Sequence, residues 1–94
     1  RLALRLGVPV PNPSSEGAYI QFDVPSHTRA LKLSLFDPAG RLVVSLYEGH
    51  ADRGRQTARW DGRDSRGSLV ASGVYFMRLV ADGQIRTRKL VVAR

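Results

Sequence analysis

The side chains able to move a proton or hold a cation are few in this chain of 94 residues: two histidines, His27 and His50, and eight carboxylates. Nucleophilic catalysis needs a nucleophile, a base and an orienting group within hydrogen-bond reach of one another. Serines and aspartates are available, but both histidines fall in stretches that read as polar loops, where solvation accounts for them. Most of the eight carboxylates (Glu16, Asp23, Asp37, Glu48, Asp52, Asp61, Asp64 and Asp82) sit in turn-like or loop-like segments. A pair poised for acid–base hydrolysis is therefore not expected. The chain has no cysteine, which removes disulfides, thiolate metal sites and cysteine nucleophiles together. These residues point to a module that is not an enzyme and carries no cofactor.

One acidic stretch has cation-like spacing, Asp61-Gly62-Arg63-Asp64-Ser65-Arg66-Gly67. Aspartates around glycine can ligate calcium through oxygen, and Asp61 with Asp64 is the calcium candidate here. More acidic ligands and a distal Glu are missing, and Arg63 and Arg66 repel a cation. The expected role of both aspartates is to accept hydrogen bonds from backbone amides and fix the loop.

The formal charge is +7, carried almost wholly by arginine, with lysine only at Lys32 and Lys89. Such a balance favours polyanionic partners, but the arginines are scattered and form no basic block. Arg55, Arg59, Arg86 and Arg88 would make a stripe if their strands were neighbours. The single tryptophan, Trp60, reads as a core anchor instead of a base-stacking platform, so no nucleic-acid partner is expected. A carbohydrate surface would need a planar strip of exposed aromatics, for which Tyr19, Phe36, Tyr47 and Phe76 are the candidates.

The elements that position these groups are strands. Apolar residues alternate with polar ones in short runs, punctuated by turn signals every 8–12 residues or so, as in an all-β sandwich. The first run, 1–10, ends in Pro9, Pro11 and Pro13, which makes it an edge strand. Then come Ala18 to Val24, Ala30 to Phe36, Arg41 to Tyr47, Arg55 to Trp60, Val74 to Ala81 and Gln84 to Ala93. Asp37-Pro38-Ala39-Gly40 reads as a tight hairpin turn, and Asp82-Gly83 as a two-residue type I′ turn. Glu48 to Gly54 reads as a polar loop. Asp61 to Gly73 is the longest irregular stretch, with Leu69 and Val70 expected to tuck it against the sandwich. In the last run the apolar residues change parity, which a bulge near Lys89 would reconcile. No apolar run is long enough for a transmembrane helix. The whole chain, 1–94, reads as one domain, and a start at Arg1 reads as a piece of a longer protein.

A family likeness runs through the chain in order: Pro11-Asn12-Pro13, Leu35-Phe36-Asp37-Pro38-Ala39-Gly40-Arg41, Trp60-Asp61-Gly62-Arg63-Asp64 with Gly67, Ser72-Gly73-Val74-Tyr75-Phe76, and Thr87-Arg88-Lys89-Leu90-Val91-Val92. This order resembles the C-terminal sorting domains of type IX secretion substrates in the Bacteroidetes. It equally resembles the immunoglobulin-like domain of the flagellar hook-capping protein. The resemblance implies a seven-stranded immunoglobulin-like antiparallel β-sandwich. It also implies a C-terminal signal module, joined to an upstream cargo domain and read by an outer-membrane secretion machinery. A sortase-like peptidase is then a second partner, and the cargo travels through the periplasm to the cell surface or outside.

The positions matching the family's signal are Gly73, Tyr75, Lys89, Leu90, Val91, Val92 and Arg94. The ending Ala93-Arg94 is looser than the commonest form. If the last strand is an edge, its unpaired backbone groups offer strand addition, and Lys89 and Arg94 offer charge to an acidic receptor. Removing Lys89 to Arg94 is then expected to stop export and leave the sandwich mostly folded. A structural immunoglobulin-like spacer and an accessory carbohydrate-binding module are the other readings.

Overall fold

The structure, a computed structural model, describes residues 3–94. Seven strands follow one another: β1 (Arg5–Leu6), β2 (Ala18–Val24), β3 (Thr28–Phe36), β4 (Leu42–Ala51), β5 (Gly54–Trp60), β6 (Gly73–Ala81) and β7 (Gln84–Val92). They form a three-stranded sheet in the order β1-β2-β5 and a four-stranded sheet in the order β4-β3-β6-β7. Every neighbouring pair is antiparallel. The fold is all-β, an immunoglobulin-like sandwich, with no helix among the described residues.

Two-residue alternation puts one apolar face of each sheet inside. Ile20, Phe22 and Val24 of β2 meet Leu31, Leu33 and Leu35 of β3, Met77 and Leu79 of β6, and Leu90 of β7, all of them buried. Burying each such side chain contributes about 1.5–3 kcal/mol. Trp60 closes the core at the end of β5, and its indole N–H donates to the Arg63 carbonyl at 2.9 Å.

The two expected turns are present. Asp37 Oδ1 accepts from the Ala39 and Arg41 amides at 3.0 and 2.9 Å, and Gly40 takes φ 83°. Asp82 and Gly83 take φ 51° and 75°, as a type I′ turn requires.

Four local expectations need correction. The first strand shrinks to Arg5–Leu6 with a separate bridge from Val10 to Tyr19; Arg1 and Leu2 lie outside the described residues. Strand β4 runs on to Ala51, so Glu48 to Ala51 is strand and not loop. Its pairing with β3 shifts register between Thr28 and Leu31, between Leu33 and Ser34, and between Leu35 and Phe36, which breaks the alternation that would have marked the strand. The β6–β7 ladder, by contrast, is unbroken from Gly73↔Val92 to Ala81↔Gln84, so no bulge lies near Lys89. Leu90 and Val92 point inward, while Ile85 and Val91 occupy the outer face. Of the two apolar residues in the long loop, Val70 is buried but Leu69 is 56% exposed.

Candidate functional site

Strand β7 is the border of the four-stranded sheet. Its even-numbered residues bond to β6, so the amides and carbonyls of Ile85, Thr87, Lys89 and Val91 face away from the ladder. The segment after β1 covers the C-terminal half of that border. Ser14 donates to the Val91 carbonyl and accepts from the Ala93 amide, both at 2.8 Å. Asn12 Oδ1 accepts from the Val91 amide at 3.0 Å. The half around Ile85 and Thr87 has no such cover from residues 12–14. Two arginines close the space behind it: Arg86 Nε donates to the Leu4 carbonyl at 3.1 Å and Arg88 Nε to the Leu6 carbonyl at 2.9 Å.

Six of the seven signal positions divide into three groups. Leu90 and Val92 are core residues. Tyr75 is buried beside Trp60, and its hydroxyl donates at 2.6 Å to the Ala71 carbonyl four residues upstream. This is the back-bond that pins the start of a strand in sandwiches of this kind. Gly73 opens β6, and Lys89 and Val91 lie on the outer face of β7, Lys89 exposed.

Arg94 is tied down. Its guanidinium donates to the Ser15 carbonyl at 3.2 Å, to the Gly62 carbonyl at 3.3 Å and to the Val70 carbonyl, and its amide donates to Ser72 Oγ. Gly62, at φ 82°, lets the guanidinium pass: a Cβ there would stand 3.4 Å from Arg94 Nη2. Lys89 thus presents a cation to solvent, while Arg94 spends its hydrogen bonds holding the tail to the Gly62–Val70 loop.

The aspartates of that loop act on backbone. Asp61 Oδ1 accepts from the Arg63 amide at 3.0 Å, and Asp64 Oδ1 from the Arg66 and Ser68 amides at 2.9 and 3.0 Å. The arginine stripe does not assemble. Arg55 pairs with the nearly buried Asp23 at 2.9 Å on the three-stranded sheet, and Arg86 and Arg88 serve the carbonyls described above. The Asp23 carboxyl is held below its ordinary range, first by the Arg55 side-chain hydrogen bond, against the opposing effect of burial.

The sequence profile of the FlgD Ig-like domain family matches residues 11–84. The chain belongs to that family. No curated protein sequence matches it. Among solved structures, the chain resembles part of dimeric latent PorU from Porphyromonas gingivalis, with a TM-score of 0.74 and 21% identity over 99% of this chain and 10% of that one. It also resembles part of PorZ from the same organism, described as an essential bacterial surface component of the type IX secretion system. There the TM-score is 0.60, with 21% identity over 98% of this chain and 12% of that one. FlgD from P. aeruginosa gives 0.59, again at 21% identity, over 97% of this chain and 73% of that one. The chain thus spans about a tenth of the length of PorU and PorZ. At these identities the likeness speaks for the fold, and it agrees with both resemblances read from the sequence.

Two further groupings emerge in the sandwich. The aromatics do not form one strip: Phe36 and Phe76 are register partners on one sheet, Tyr19 lies on the other, and Tyr47 packs edge-on against buried Phe22 at 6.1 Å. Arg78 stacks over Phe36 at 4.3 Å. The histidines, read separately from sequence, converge: His27 Nδ1 stands 3.0 Å from Asp52 Oδ1, and the His27 and His50 rings are 6.0 Å apart. His50 and Asp52, two apart, would have shared a strand face had β4 been extended past Tyr47.

Proposed function

We propose that the module is a non-catalytic C-terminal secretion signal, read by an outer-membrane type IX export machinery that carries its cargo to the cell surface or outside. The observation that carries this reading is the border strand β7. It bears four of the seven signal positions (Lys89, Leu90, Val91 and Val92), presents Lys89 to solvent, and keeps outward-facing amides at Ile85 and Thr87 for a receptor strand to pair with. The fold shared with PorZ, a type IX surface component, supports the same reading. Recognition is by backbone pairing, with Lys89 setting orientation against an acidic receptor.

A second reading, a structural immunoglobulin-like spacer, is favoured by the family match and by Arg94, whose guanidinium is committed to carbonyls within the chain. The two readings separate in one experiment. Residues 1–94 are fused behind a periplasmic reporter in a type IX-competent bacterium, alongside a Thr87→Pro and a Lys89→Glu version. A signal delivers the reporter outside the cell, and each substitution holds it back in the periplasm while the domain stays folded. A spacer leaves all three fusions in the periplasm.

A further inference from the structure

We propose that His27, His50 and Asp52 form a surface site for one divalent transition-metal ion of the zinc type. The site is independent of the export reading. Three features of the backbone bring the side chains together. Thr28 and Ala51 are register partners at the ends of β3 and β4. The next positions outward, His27 and Asp52, therefore face one another across the two chains. His50 lies two residues before Asp52, on the same side of its strand.

The side chains follow. His27 Nδ1 is 3.0 Å from Asp52 Oδ1, the imidazole rings are 6.0 Å apart and inclined at 35°, and one ligand atom from each residue lies within 4.8 Å of the other two. Tetrahedral zinc with nitrogen and oxygen ligands needs those atoms about 3.3 Å apart. Rotation of the side chains by about an ångström closes the set, and all three residues are exposed and free to turn.

The donors also suit the ion. Imidazole nitrogen is the ligand that zinc, copper(II) and nickel(II) take and that calcium and magnesium do not. Two neutral imidazoles and one carboxylate put a single negative charge against a double positive one. Three protein ligands leave a fourth position for water or a donor from another molecule. A bound ion would clamp the bend before β3 to the turn after β4 at one end of the sandwich.

The test is a titration of the 94-residue chain with zinc chloride in a non-chelating buffer, followed through the imidazole resonances by NMR and through heat by calorimetry. One ion binds per chain, and both histidines respond along a single saturation curve. His27→Ala, His50→Ala and Asp52→Ala each weaken binding by about tenfold or more, with unchanged backbone spectra before metal is added. Three results would overturn the site: no saturable binding, a response from one histidine alone, or a His50→Ala variant that binds as tightly as the parent. The last would reduce the grouping to a His27–Asp52 ion pair.

Discussion

The rings of Trp60 and Tyr75 lie 6.4 Å apart, centroid to centroid, at an angle of 54°, and they come from opposite sheets. Each ring also has a polar anchor, the indole N–H on the Arg63 carbonyl and the phenol on the Ala71 carbonyl. Together they tie the two layers to the long loop between β5 and β6. Trp60→Ala is expected to lower stability by about 3–5 kcal/mol, as for other large core truncations. Tyr75→Phe keeps the ring and loses the hydrogen bond, at a cost of about 1 kcal/mol. Urea denaturation of the three proteins measures both.

Acid weakens the fold through Asp23 and Asp37. The Arg55 hydrogen bond lowers the Asp23 carboxyl, and the Arg41 amide, first among several donors, lowers that of Asp37. A carboxylate lowered in the folded state stabilises it fully above the unfolded value of about 3.9, and that contribution fades as pH falls through the folded value. Stability is therefore expected to fall on acidification below about pH 5. Asp23→Asn should start lower and fall less steeply; urea midpoints taken across this range give the two slopes.

Arg94→Ala is expected to release the Gly62–Val70 loop. Its guanidinium bonds are charge-assisted but partly open to water, so the loss is about 1–2 kcal/mol. Arg94→Lys restores only part of it, because an ammonium cannot span carbonyls from Ser15, Gly62 and Val70 as the planar fork does. Faster hydrogen exchange at the loop amides, with little change in β2 or β3, is the expected signature.

Truncation after Arg88 is expected to unfold the sandwich. It removes Leu90, which is 0% exposed, and Val92, which is 3% exposed. Leu90→Ala alone should cost about 2–5 kcal/mol. Export lost on deleting Lys89 to Arg94 would thus report unfolding as much as a missing signal. Circular dichroism of the truncated chain beside the Thr87→Pro variant separates the two, with only the latter keeping its strand spectrum.

What the sequence made legible follows from physics. Ile20, Phe22 and Val24, or Leu31, Leu33 and Leu35, alternate cleanly because their strands pair with β5 and β6 without a slip. The turns at Asp37–Gly40 and Asp82–Gly83 carry chemistry local to a few residues. Strand β4 was hidden past Tyr47 because its ladder with β3 slips three times. That hid the approach of His27 to His50 and Asp52, since the contact depends on register between distant residues. In β7 the mixed parity of Ile85, Leu90, Val91 and Val92 suggested a bulge; an apolar residue on the outer face explains it more simply. The role of Arg94 was invisible for a similar reason, since its partners lie far back in the chain.

The first and last described segments run side by side in the same direction: Leu4 faces Arg86, Leu6 faces Arg88, and Ser14 bridges Val92 in parallel. Tension drawing residue 4 one way and residue 94 the other would load this whole row of bonds in shear. They would have to give way together instead of unzipping one by one. A chain drawn by its two ends would then yield late and abruptly, with little warning before the sandwich opens.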